Sequence, residues 1–397
     1  MKKYKLGEIA NIQISGVDKK TKDGEIPIKL CNFTDVYYNY AITKEMTQSF
    51  MNATAKQSEI DIFKLQKGQV ALTKDSETKF DIGVSTYIAD TFENVILGYH
   101  TALITPNQEF LNGKYLNAFM NTKYAQKYFE NNATGSGQRF SLSNETLHNI
   151  SILAPDLPTQ KKIGKLFSDI DKKIAVNNEI NKLLEQSARA IYEYYFVQFD
   201  FPNANGKPYK SSGGEMIFNP TLNHHIPKTF EVKVMKDFLN VVTGKEDANF
   251  ATKNGQYAFF TCGDEILRCD KSVFKGKAIL IAGNGNFNVK YFDGEFNAYQ
   301  RTYVLIPKNE LYAGILYFSA LNRIDIFTKG SNGSIVKFIT KGDIENIPVI
   351  LPNDTQILSV FNTILDKQNL IRIENQKLKA LRDFLLPLLL NAQVKIK

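Results

Sequence analysis

Four sequence landmarks recur in the same order about 200 residues apart along this 397-residue chain, and that duplication constrains the fold more than any other feature. Leu6-Gly7-Glu8-Ile9-Ala10 opens a unit of short strand-like runs, and Met235-Lys236-Asp237-Phe238-Leu239 opens a similar one. His100 to Pro106 matches Gln300 to Pro307 in pattern, and Gly135-Ser136-Gly137-Gln138 answers Gly330-Ser331-Asn332-Gly333. The units close on Ile150 to Pro155 and on Ile347 to Pro352. A chain of this length exceeds one ordinary core, and the repeat divides it into two similar globular units.

Each unit runs into a long helical pattern. From Gln160 to about Val197, Ile163, Ile170, Leu184 and Ile191 form one seam, with Phe167, Ile174, Ala188 and Tyr195 four residues further on. Asn177 and Asn181 fill the two remaining seam positions. In the second half Ile357, Ile364, Ile371, Leu378 and Leu385 make an unbroken heptad row, beside which lie Phe361, Gln368, Asn375, Arg382 and Leu389. Sustained heptads predict a coiled coil, and seam asparagines set its register at some cost in stability. The alternative is two surface helices, each packed on its own domain. Pairing the helices antiparallel predicts an elongated, pseudo-twofold molecule. The first helix would be about 57 Å long, as long as roughly 17 base pairs of B-DNA.

The expected fold is therefore α+β: two mixed α/β domains separated by two long helices that pair as an antiparallel coiled coil. The expected segments are a first domain at 1–155, a first helix at 156–200, a linker and second domain at 201–350, and a second helix at 351–397. Short strands are expected at Val70–Thr73, Val84–Ile88 and Tyr99–Ile104, and at Ala278–Ala282 and Tyr299–Ile306. A helix is expected near Lys114–Glu130 in one domain and near Leu311–Thr328 in the other.

Composition narrows the function. Three cysteines (Cys31, Cys262 and Cys269) are too few and scattered for a disulfide framework and point to a reducing compartment. Four histidines leave little scope for a zinc site or a triad. No signal peptide is read at Met1 to Lys5, and the apolar run Phe384–Leu390 is far below the ~20 residues of a membrane span. The expectation is a soluble, cytoplasmic protein without a membrane partner. The net charge of +8 is uneven: 1–155 and 156–200 carry +1 and 0, while 201–350 and 351–397 carry +4 and +3. That excess is too thin to hold nucleic acid tightly without geometry and partners.

An enzyme's motifs are missing. Phe218-Asn219-Pro220-Thr221 lacks the second proline and aromatic of an amine-methylating loop. Gly206-Lys207 and Gly276-Lys277 lack the rest of a phosphate-binding loop. Ala282-Gly-Asn-Gly-Asn286 has no third glycine and no helix after it. The reading is a binding protein with no catalytic or metal-ligating residues and no cofactor of its own.

Several segments resemble the specificity subunit of Type I restriction-modification systems, over essentially the whole chain. Leu157-Pro-Thr-Gln-Lys-Lys-Ile163 with Asp169-Ile-Asp-Lys-Lys-Ile174 is similar to that family's central conserved region. Tyr194-Tyr-Phe-Val-Gln-Phe-Asp200, running into Asn205-Gly-Lys-Pro-Tyr-Lys210, resembles its hand-over to a second recognition domain. Leu381-Arg-Asp-Phe-Leu-Leu-Pro387 resembles the distal helix end. Two departures stand out: Thr229-Phe230 replaces a Gly-Trp pair, and Pro387 is expected to stop or kink the last helix.

The resemblance implies a non-catalytic subunit whose two target recognition domains each read half of a split sequence in double-stranded DNA. The paired helices would set the unread spacer and recruit two adenine-N6 methyltransferase (M) subunits. S-adenosylmethionine and ATP would sit on the partners, ATP on the restriction/translocase (R) subunits. A coiled-coil scaffold or a degenerate specificity subunit, without sequence-specific DNA binding, remains the other reading.

Bases are read by polar side chains on loops. Candidates in the first domain are Lys74, Ser76, Thr78 and Lys79 on one loop and Ser136, Gln138 and Arg139 on a glycine turn. In the second domain they are Asn284, Asn286, Asn288, Gln300, Arg301, Ser331, Asn332 and Lys337. Ordinary surface turns would show the same residue types. His100, opposite Gln300 in the repeat, reads as a core histidine.

Overall fold

The computed structural model of the protein describes residues 2–253, 255–285, 287–329, 338–390 and 393–394, with the backbone alone at 325–329. The chain forms two compact units, residues 1–178 with 374–397, and residues 179–373. These units cut across the segments expected from the sequence, because each takes one globular domain together with part of both long helices.

In the first unit the strand Lys2–Lys5 pairs antiparallel with Ser151–Ala154, so the two ends of the domain lie side by side. A one-turn helix, Leu6–Ile9, follows. The Glu8 carboxylate accepts from the Lys5 amide, and the Leu6 amide donates to Ile150. The main sheet has the order Ala10–Ile14, Thr101–Pro106, Val70–Thr73, Ser85–Ile88, Ala41–Ile42. Its pairings are antiparallel except the last, which is parallel. A second sheet, Met51–Ala55, Ile26–Cys31, Val95–Leu97, closes a separate apolar cluster around Leu30, Ile88 and Ile96.

The second unit repeats this scheme. Phe230–Val234 pairs with Pro348–Pro352, and the helix Met235–Phe238 is capped by Asp237 on the Val234 amide. The Met235 amide donates to Ile347, as Leu6 does to Ile150. The sheet order is Leu239–Thr243, Thr302–Pro307, Phe274–Ala282, Val289–Ala298, Tyr257–Phe260, Ile266–Cys269. Its first five strands reproduce the other sheet in order and direction, including the single parallel step. The duplication is therefore one of topology as well as sequence.

The helical expectations need adjustment. The segment near Lys114–Glu130 is two helices, Gly113–Met120 and Lys123–Asn132, each started by a side-chain cap from Asn112 and Thr122. The strand expected at Tyr299–Ile306 starts at Thr302, because Tyr299 and Gln300 form the turn before it. The first long helix spans Leu157–Tyr192 and ends in a π-turn, Glu193–Val197, before Phe199 takes a positive φ of 61°. The second spans Gln356–Leu390 and runs past Pro387 instead of stopping there.

Within each unit the helices run antiparallel. In the first, buried Asn177 donates to the Glu374 carboxylate at 2.7 Å and to Asn375 Oδ1 at 2.8 Å, while Asn375 donates to Asn178 Oδ1. Arg382 pairs with Asp171 at 3.1 Å. In the second, Gln368 donates to the Asn181 carbonyl and the rings of Tyr192 and Phe361 meet edge-on. Ile163, Phe167, Ile170, Asn177, Phe361, Ile364, Ile371 and Asn375 are buried; Ile174, Asn181, Leu184, Ile191, Ile357, Leu378 and Leu385 are half-buried. Ile163, Phe167 and Ile170 share a core with Tyr115 and Leu116, and Phe361 shares one with Phe318. The two readings of the heptads are therefore not exclusive: the helices pair with each other and also seat on their domains.

Each seat uses the same device. Gln160 accepts from the Asn112 amide and donates to the carbonyls of Phe110 and Pro155, satisfying backbone groups ahead of the Gly113–Met120 helix and of its own helix. Asn362 accepts from the Gly314 amide and donates to the carbonyls of Glu310 and Leu311 at the start of the Ala313–Lys329 helix. A glycine lets the helices touch in both places. A Cβ on Gly164 would lie 2.7 Å from the Tyr115 nitrogen, and one on Gly314 would lie 2.6 Å from Phe361 Cβ.

Candidate nucleic-acid interface

Two candidate loops of the first domain, far apart in sequence, meet in one small sheet. Thr134–Ser136 pairs with Arg139–Ser141, and that strand pairs with Asp75–Ser76, with Phe140 opposite Ser76 and Ser141 opposite Asp75. The hairpin tip is exposed throughout, so Ser136, Gln138 and Arg139 all face solvent. Gly135 makes the tight closure possible. Its φ is 133°, and a Cβ there would come within 2.0 Å of the Arg139 carbonyl.

The adjoining loop is held from beneath by carboxylates. Asp75 accepts from Lys74 Nζ at 2.8 Å and lies 2.6 Å from His100 Nδ1, while Lys74 also donates to Ser141. Burial alone would raise the Asp75 carboxyl, but its hydrogen bonds from Lys74, Ser141 and His100 outweigh it and hold it below the usual range. Asp81 accepts from Ser76 and Thr78 on one oxygen and from Tyr37 on the other. Ser76 and Thr78 are thus turned toward Asp81, and Lys74 is turned into the sheet. Lys79 is exposed, 5.5 Å from the Phe80 ring. His100 is at the surface with φ 66°, not in the core, because it closes the turn ahead of Thr101 and meets Asp75 there.

In the second domain Asn284, Gln300 and Arg301 line one concavity of about 430 Å³ with Thr243, Phe338 and Lys341. Gln300 is tied by its side chain to Asp247 and by its amide to the Glu246 carbonyl. Asn288 belongs to a different environment. Its amide nitrogen donates to the Cys262 carbonyl and to Asp264, both at 3.0 Å, which pins the loop after the Tyr257–Phe260 strand. Asn286, Ser331, Asn332 and Lys337 lie outside the described residues.

Lys341, Phe338 and Phe80 lie outside the candidate loop residues read from the sequence. Asp81 had a legible signal: Ser76-x-Thr78-x-x-Asp81 places two hydroxyls within reach of a carboxylate that can order the turn. The clustered Tyr192 and Phe196 face inward, onto Phe318 and Phe361 of their own unit. Among the described residues, no helix is long and apolar enough to cross a membrane.

The family model described as Type I restriction modification DNA specificity domain matches residues 1–186 and 227–382. The chain is 36% identical over 179 residues to the Type I restriction enzyme EcoDI specificity subunit of Escherichia coli. That alignment covers 43% of this chain and 39% of the relative, so it spans well under half of that protein. The MjaIX specificity subunit of Methanocaldococcus jannaschii is 23% identical over 333 residues, 74% of each chain. The crystal structure of a Type I restriction-modification S subunit from M. genitalium has the same fold, with a TM-score of 0.59 at 15% identity over 98% of this chain and 95% of that one.

Proposed function

The chain belongs to the Type I restriction modification DNA specificity family, and from that premise we propose that it is the non-catalytic subunit that directs an adenine-N6 methyltransferase/restriction complex to a bipartite DNA target. Each globular domain reads one half-site. The paired helices set the unread spacer and dock two methyltransferase subunits, and restriction/translocase subunits complete the assembly. S-adenosylmethionine and ATP belong to those partners.

The observation that carries this reading is the repeated five-strand sheet, because two copies of one domain suit two half-sites of one duplex. In the first domain, Gln138 and Arg139 stand exposed on a glycine hairpin, with the bidentate groups that read adenine and guanine edges in the major groove. Lys79, exposed on the adjoining loop, is suited to phosphate. In the second, Gln300, opposite His100 in the repeat, and Arg301 share one concavity with Asn284 and Lys341. Lys74 and Asn288, whose donors are engaged within the domains, position these edges instead of touching bases.

The chain, reconstituted with its methyltransferase subunits, is expected to methylate paired half-sites at a constant gap. Gln138→Ala with Arg139→Ala should relax the choice of bases in one half-site only. Equal loosening of both half-sites would defeat the assignment of one domain to each.

A further inference from the structure

Each candidate reading edge carries one phenylalanine whose ring stands in water. Phe80 is 74% exposed and Phe338 is 64% exposed. A benzyl group at a mobile loop tip would need no explanation, since isolated apolar residues on surfaces are common. These two sit beside hydrogen-bonded backbone. The loop bearing Phe80 is fixed through Asp81, which accepts from Ser76, Thr78 and Tyr37, and the Phe80 amide itself donates to Thr78 Oγ1 at 3.1 Å. Its far end is pinned at Gly83, whose amide donates to the Thr73 carbonyl and which rests on the Phe129 ring so closely that a Cβ would lie 2.3 Å away. Phe338 precedes buried Ile339, whose amide donates to Gly283 and whose carbonyl accepts from Tyr303. Phe338 also bridges to Asn284. In both domains a hydrogen-bonded seat carries a large apolar side chain outside the core.

The surroundings say what it meets. Lys79 lies beside Phe80, and exposed Arg139 lies on the strand next to its loop; Arg301 and Lys341 share the concavity of Phe338. An apolar ring flanked by cations matches a duplex, whose phosphates attract the cations and whose interior is the one apolar part of the ligand. Preorganisation also matters, because a backbone already held in place loses little freedom on binding.

Resting on the function proposed above, we propose that Phe80 and Phe338 are base-step wedges. Each would insert its ring against the stacked bases of the half-site its domain reads, opening one step and adding sequence preference through the ease of deforming that step. Side-chain hydrogen bonds would then share specificity with DNA deformability.

The test uses the complex with its methyltransferase subunits and duplexes carrying 2-aminopurine at successive positions of each half-site. Wild type should raise the fluorescence at one step per half-site. Phe80→Ala should abolish the rise in one half-site and weaken cognate binding on the order of tenfold, while Phe338→Ala does the same in the other. The chain contains no tryptophan, so Phe80→Trp adds a single reporter to this subunit, and its emission should be quenched by the cognate duplex against the wild-type background. Unchanged affinity and unchanged 2-aminopurine signals in both alanine variants, with no tryptophan quenching, would overturn the wedge. Methylation at a bipartite site would survive that result. A complex with no bipartite preference would instead defeat the underlying function.

Discussion

The two units share a sheet but solve the seating of the long helices with exchanged parts. In the first, the small residue is on the long helix: Gly164 meets the backbone of Lys114 and Tyr115. In the second it is on the domain helix, where Gly314 meets Phe361 and Asn362 of the long helix. The polar clasp sits on the long helix both times, as Gln160 in one and Asn362 in the other. What the duplication preserves is the set of satisfied backbone groups and the close approach, not the letters that supply them. The reading edges differ more. One is a three-stranded sheet ending in a hairpin, the other a concavity beside the main sheet. Divergence at the edges over a common seat is what separate half-sites would need.

Emptying each seat should have the largest effect. Phe167→Ala and Phe361→Ala remove side chains that are 2% and 0% exposed, and each should cost about 3–5 kcal/mol in denaturant unfolding of the full chain. Similar losses would support equivalent seats. A loss below about 1 kcal/mol at either position would show that one helix is held by something else.

Filling the glycine contacts should cost about 1–3 kcal/mol. Gly164→Ala is expected to be the worse of the two, because the three nearest atoms are all backbone or Cβ of Tyr115 and Lys114, whereas one of those at Gly314, Asn362 Oδ1, is on a side chain that can swing away. Thermal unfolding of both variants checks that order. The clasps come next. Gln160→Leu and Asn362→Leu each leave one amide and two carbonyls without their partner, and should cost about 1–2 kcal/mol apiece.

The smallest effect concerns the first reading edge. Asp75 has its carboxyl held below the usual range in the folded protein, so its contribution is complete above the unfolded value of about 3.9 and is lost as pH falls through the lower folded value. Amide exchange at residues 74–81, corrected for intrinsic rates, should therefore be flat from neutral pH to about pH 5. Protection should fall only in acid, and Asp75→Asn should remove that dependence.

The heptads and the repeat were legible because both are periodic in the chain itself. Ile163, Phe167 and Ile170 could be placed on one helix face by spacing alone, and Val70–Thr73 is a strand as its residues suggest. Sheet order was not legible, since pairing Ala10–Ile14 with Thr101–Pro106 depends on a contact some 90 residues away. The meeting of loop 74–79 with hairpin 135–139 hid for the same reason. His100 reads from the sequence as a core residue; its positive φ, its exposure and its carboxylate partner appear only in three dimensions. Phe80 carries no polar signal in the sequence, and only its exposure on a hydrogen-bonded loop makes it conspicuous.

The most direct test of one domain per half-site is to map methylated adenines in DNA treated with the reconstituted complex, for wild type and for Gln138→Ala with Arg139→Ala. The expected result is two half-sites at a constant gap, with base preference lost in one half-site of the variant and intact in the other. A contiguous motif, or equal loss in both halves, would contradict it.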